Sequence, residues 1–120
     1  MMRPKSEEPS YLLAAQAGSV VRRLCRRMRA GEQPSPADLC RTIGALQQLA
    51  DDLAHVLPGV QGQLEESLLA GRIGAGDSAG EAWSKVADVG EALAAARASA
   101  LVMATELRAS QRMLGELASS

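Results

Sequence analysis

The stretch from Ser78 to Leu117 constrains this chain more than any other, because it reads as one long alanine-rich helix. Its middle, Leu93 to Ala104, carries a single charge, Arg97. A helix apolar on nearly every face has to be covered by protein on nearly every face, so the remainder of the chain reads as the cover. Ser78-Ala79-Gly80-Glu81 fits a capping box, in which the serine accepts the backbone N–H three residues on; Asp77 is an alternative cap. Downstream, Val86, Val89, Leu93, Ala96, Ala100, Met103, Leu107, Ser110, Leu114 and Leu117 alternate steps of three and four, the heptad seam of a helix packed along its length. A second row crosses it: Ala92, Ala96, Ala100 and Ala104 lie four apart and form a ridge with almost no side chain. Such a ridge admits a partner helix at the close end of the usual ~8–10 Å range, and alanine favours the helix locally as well. The apolar run is shorter than the ~20 residues a bilayer requires and holds Arg97 at its centre, so a buried helix is expected and a membrane association is not.

The core available to cover this helix is aliphatic. Hydrophobic residues make up 47% of the 120 residues, aromatic residues only 2%, and phenylalanine is absent. β-branched residues are few and no alternating run is sustained, which suits closely packed helices better than a sandwich and points to an all-α domain. The formal net charge is −1, but it is unevenly placed. Arg3, Lys5, Arg22, Arg23, Arg26, Arg27 and Arg29 face only Glu7 and Glu8 in the first part of the chain, and the rest is acidic. No secretion signal is expected: only Tyr11 to Ala14 precede the cleavage-like Ala15-Gln16-Ala17, where ~7–15 apolar residues are needed. A cytoplasmic location with Cys25 and Cys40 reduced follows as the expectation.

Residues 1–9 are polar and proline-containing and read as a flexible tail, leaving a single helical domain over 10–118. Ser10 can cap a helix running to about Arg29. Leu13, Ala17, Val20, Val21, Leu24 and Met28 share one stripe of it, with arginines on the back and flank. Ser35-Pro36-Ala37-Asp38 is a second start, with serine as cap, proline at the first helical position and an acid in the first turn. Leu39, Ile43, Leu46, Ala50, Leu53 and Leu57 continue it as a seam. Pro58-Gly59 then predicts a break or kink, since an internal proline removes a hydrogen bond and costs ~3 kcal/mol. Val60, Leu64 and Leu68 resume the phase in a short helix over 60–70. The expected helices are therefore 10–29, 36–57, 60–70 and 78–117. The glycines between Gly71 and Gly80 let the chain reverse. The predicted fold is an antiparallel helical hairpin with a kinked first arm, its third side closed by the amphipathic N-terminal helix.

The Leu46-Gln47-Gln48-Leu49-Ala50-Asp51-Asp52-Leu53 segment, the Ala70-Gly71-Arg72 turn and the alanine-rich second arm resemble small all-helical proteins of high-GC actinobacteria. The resemblance spans roughly residues 40–105 and rests on composition and layout. It implies a helical hairpin and brings no activity with it.

Four candidate sites come out of the residues. Gly71 to Ser78 matches the phosphate-loop spacing, but Asp77 stands where the lysine belongs and a helix precedes the loop where a strand should, so a flexible turn is expected. Asp51 and Asp52 lie within a turn of His55, the sole histidine; one histidine is a poor start for a metal site, and a solvated face is expected. Cys25 sits among arginines, which can activate a thiol, yet it borders the apolar stripe and reads as a half-buried core residue. With one histidine in the chain, no Cys/His or serine triad assembles, so no enzyme and no cofactor are expected. The basic patch Arg22, Arg23, Arg26, Arg27 and Arg29 is the fourth, able to meet phosphates, anionic lipid, an acidic protein or the chain's own acidic helices.

A three-helix monomer has too little surface to cover the alanine arm. The expectation is a homodimer with Ala92, Ala96, Ala100, Met103, Ala104 and Leu107 at the interface. The function read from the sequence is a non-enzymatic interaction protein, an adaptor or small regulator with a further protein partner. The alternative is nucleic-acid association through the arginine face.

Overall fold

The computed structural model of the chain describes residues 8–74, 76 and 78–119, in which three helices and no strand occur. The predicted tail lies mostly outside these residues, as does Asp77 with its roles as cap or loop residue. The chain divides into two units, residues 1–34 and 35–120.

The first unit holds α1, Ser10–Arg29. Ser10 is its first helical residue and not its cap. Pro9 occupies the cap position, and its carbonyl accepts from Leu12 and Leu13 at 3.0 and 3.3 Å, with no side-chain cap bond. At the far end Ala30 donates to the carbonyls of Arg26 and Arg27, and Gly31 takes φ 78°, the left-handed conformation that terminates helices without a Cβ clash. Arg26, Arg27 and Arg29 fall in the last turn, where cations complement the helix dipole. No residue of α1 is buried. Leu13, Val20, Val21 and Met28, members of its expected apolar stripe, are exposed.

The second unit is an antiparallel hairpin of α2, Pro36–Leu69, and α3, Ala79–Ser119. Both starts follow from their caps: Ser35 Oγ accepts the Asp38 N–H at 3.1 Å and Ser78 Oγ accepts the Glu81 N–H at 3.2 Å. The reversal follows from Gly71, at φ 73°. Its N–H bonds the Leu68 carbonyl at 3.1 Å and the Arg72 N–H bonds the Ser67 carbonyl at 2.9 Å. This is a Schellman motif, which uses up carbonyls the helix end would otherwise leave open. Gly74, at φ 76°, then brings the backbone against the second arm: a Cβ there would stand 2.9 Å from the Ala82 Cβ.

The expected division of the first arm at Pro58 does not occur. α2 is one helix of 34 residues with Pro58 and Gly59 inside it. Pro58 is exposed, so water can reach the backbone around the ring. Ala54 and Leu57 before it, and Gln61 and Leu64 after it, are all buried or half-buried along one continuous line. Packing against α3 on both sides of the proline holds the helix through it.

The seam itself is displaced by one residue from its expected course at several steps, though not at Ala96, where the next residue, Arg97, is exposed as well. On α3 the seam runs through Val86, Gly90, Leu93, Ala100, Ala104, Leu107, Gln111 and Leu114, with Ala82, Leu101, Ala109 and Gly115 also withdrawn. Val89, Met103 and Leu117, expected in the seam, are exposed. On α2 the line runs through Ile43, Gln47, Ala50, Ala54, Leu57, Gln61, Leu64 and Leu68, and Leu53 and Val60 are exposed instead. The physical reason is closeness. Rows of Ala, Gly and slender Gln let two backbones approach nearer than rows of Leu and Val, and dispersion contact grows steeply as the gap closes.

The hairpin also covers less of α3 than expected. Between Leu93 and Ala104 only Leu93, Ala100, Leu101 and Ala104 are withdrawn from solvent, all toward the α2 side.

Candidate functional site

The two arms lock together by an exchange of glutamines. Gln61 of α2 lies over Gly90 of α3, where a Cβ would stand 3.1 Å from the Gln61 Cδ. Gln111 of α3 lies over Gly44 of α2, where a Cβ would again stand 3.1 Å from the Gln111 Cδ. Gln111 Nε2 donates to the Cys40 carbonyl at 3.1 Å, whereas Gln61 Oε1 is buried without a hydrogen-bond partner. The pairings set the register of the two arms. Neither glutamine was singled out from the sequence. Their signal was the spacing in sevens of Gln47, Ala54 and Gln61 on one arm and of Gly90, Ala104 and Gln111 on the other.

In an antiparallel pair, residues at the same flanking heptad position on the two arms project from the same broad side. One side therefore carries Leu53, Val56 and Val60 from α2 and Val89, Ala96 and Met103 from α3, all exposed. Val89 and Met103 are 44% and 53% exposed, values typical of surface polar residues and not of core aliphatics. Near the turn this side opens into a hollow of 220 Å³ lined by Leu64, Leu68, Ala82, Val86, Val89 and Lys85. Open apolar side chains thus run along this side from both arms, and such patches mark association surfaces.

The structure divides the six residues expected at the interface. Ala104 is 2% exposed and buried against the first arm, and Ala100 and Leu107 sit half-buried on the same seam. Ala92, Ala96 and Met103 face away from the seam and are open. The ridge expected as one interface thus serves two surfaces, an inner one within the hairpin and an outer one.

The basic patch is open along its length. Arg22, Arg23, Arg26, Arg27 and Arg29 are all exposed, with Arg27 Nη2 3.4 Å from Glu32 Oε2 just past the helix end. Cys25 is exposed among them and not half-buried as expected; the stripe it borders is itself open. Cys40 is a half-buried free thiol on the hairpin seam, its Sγ 4.0 Å from the Gln111 carbonyl. His55 is spent locally: Nδ1 lies 2.7 Å from the Asp51 carbonyl and 3.7 Å from Asp51 Oδ2, while Asp52 accepts from Gln48 Nε2 at 2.9 Å. Among the described residues no three His, Cys, Asp or Glu side chains gather as a metal site would require. Among them, too, no helix is long and apolar enough to cross a membrane.

In comparison with known proteins, the chain matches no family model, no curated relative and no solved structure.

Proposed function

We propose that this chain is a non-enzymatic helical interaction protein, an adaptor or small regulator that acts through its helix faces and pairs with itself. The observation that carries the reading is the open apolar side of the hairpin, where Leu53, Val56, Val60, Val89 and Met103 are exposed together. Removing such a surface from water is worth roughly 25 cal/mol per Å² before the entropy of association is subtracted. A second copy supplies an identical surface at equal concentration, so self-association is the first use of it, and a further protein partner can bind through the faces that remain. The free thiols Cys25 and Cys40 suit a reducing, cytoplasmic setting.

Sedimentation equilibrium tests this directly. The wild-type chain should sediment at twice its 12.5 kDa at micromolar concentration. Met103→Glu should raise the dissociation constant roughly tenfold or more, because it places a carboxylate on the surface to be dried. A wild-type mass that stays at the monomer value up to 100 μM (roughly the weakest range for a specific pair) rejects self-association.

A second reading, nucleic-acid association, is favoured by one observation, the exposure of the five arginines clustered at the end of α1. If those side chains meet phosphates, affinity for a DNA or RNA duplex will fall steeply with salt, with a slope of about −0.9 per phosphate contacted on DNA. Replacing Arg22, Arg23, Arg26, Arg27 and Arg29 by glutamine will then abolish the salt-dependent binding. Equal binding by wild type and the glutamine variant eliminates this reading.

A further inference from the structure

Resting on the self-association proposed above, we infer that the second copy seats on the open side with its α3 antiparallel to this one, crossing at Ala96, held in register by reciprocal Lys85–Glu106 pairing. The inference comes from how charge and bulk are distributed along the two outward rows of α3. One row runs outward past the buried Ala82 as Val89, Ala96, Met103, Ser110 and Leu117; the other is Lys85, Ala92, Ser99, Glu106 and Met113. Only two charged residues lie on them, of opposite sign, while the remaining charges of α3 lie on other rows. Lys85 and Glu106 stand equally far from the midpoint between Ala95 and Ala96. Val89 and Met103 stand equally far from Ala96 itself. An antiparallel copy about that midpoint sets Lys85 against Glu106 twice, Val89 against Met103 twice, and Ala92 against Ser99 twice. Alanine and serine at the crossing are small enough to let the two helices approach closely.

The first arm agrees independently. The register fixed by Gln61 over Gly90 puts the turn around Ala54 and His55 level with Ala96. The open apolar residues of α2 centre at this level: exposed Leu53 and Val56 sit on either side of it, with half-buried Leu49 and exposed Val60 beyond. A copy turned about an axis through Ala96, across the helices, therefore brings α2 onto α2 at its most apolar stretch. The product is a four-helix bundle in which every helix is antiparallel to its neighbours, a well-packed topology that closes on itself. A copy turned about the long axis of the hairpin also buries the surface, but sets Glu106 against Leu46 and Leu49 and leaves its charge without a partner.

Mixing two charge-reversal variants tests the register. Lys85→Glu and Glu106→Lys each turn both reciprocal pairs into like-charge pairs, and each alone should dissociate roughly ten- to thirtyfold more readily than wild type. Mixed in equal amounts, one tagged for mass, they should form a heterodimer within about threefold of wild-type affinity, because each chain then meets its opposite charge. In a Cys25→Ser, Cys40→Ser background, Ala96→Cys should form an intermolecular disulfide on mild oxidation, since the residue faces its own copy, and Ala98→Cys should not. Circular dichroism confirms that each variant remains helical. If wild type dimerises but the mixture gains nothing over the separate variants, or Ala96→Cys fails to cross-link, the register is wrong and self-association stands. If wild type is a monomer at 100 μM (the same bound as above), both fall together.

Discussion

Replacing Ala104 with leucine will destabilise the hairpin by about 1–3 kcal/mol, seen as a lower urea midpoint with an unchanged slope. Ala104 is 2% exposed, and Ala50 and Ala54 on the facing arm are 2% and 1% exposed. The middle of the seam is thus built largely from alanine, with Leu57 and Leu93 beside it and Ile43, Leu64, Val86 and Leu107 farther out. Arms that meet through methyl groups have no room for three further carbons. A leucine at 104 must push α2 away locally, and the contacts around Ala50 and Ala54 loosen with it. The comparison that isolates this effect is Ala98→Leu, an exposed position on the same helix, where the change should stay within about 0.5 kcal/mol. All melts belong at one chain concentration, because the stability of a self-associating chain depends on it. An Ala104→Leu variant as stable as Ala98→Leu would show that the arms do not approach closely.

Much of this fold is legible in the sequence, and the part that is not shares one cause. The caps Ser35 and Ser78, the proline at the first position of α2 and the glycine that ends it are local signals, and local geometry satisfies them. The choice of seam is not local. On each arm three neighbouring heptad rows are apolar or small, and two of them suffice to pack a hairpin. On α3 the row Val86, Leu93, Ala100, Leu107 and Leu114 belongs to the seam on either choice. The second row could be Val89 with Met103, or Gly90 with Ala104. Side-chain hydrophobicity favours the first, and backbone proximity favours the second. Only the facing arm decides, because Gly90 gains its value from Gln61 and Gly44 from Gln111. The same decision creates the candidate site. Once the small rows go inward, the larger aliphatics Leu53, Val60, Val89 and Met103 are left on an outward side. Reading the alanine ridge as one interface missed this, since Ala104 turns in while Ala92 and Ala96 turn out.

Removing the proline should have the opposite sign. Pro58→Ala is expected to stabilise the hairpin by about 2–3 kcal/mol, the reverse of what an internal helix proline costs. Pro58 has no N–H, so the Ala54 carbonyl lacks the donor one turn ahead of it, and the ring crowds the same carbonyl. Alanine restores the bond and relieves the crowding. Because Pro58 is exposed, losing its ring opens no cavity. Gly59→Ala separates the two residues: it should gain only about 1 kcal/mol, the glycine-to-alanine difference in helix propensity. Pro58 lies on the flank of α2 turned away from Leu53 and Val60, so the gain should appear in unfolding and leave the dimer dissociation constant within about twofold of wild type. A Pro58→Ala chain no more stable than wild type would mean that α2 is already interrupted there in solution. The packing of Leu57 and Leu64 would then hold two helices end to end in place of one.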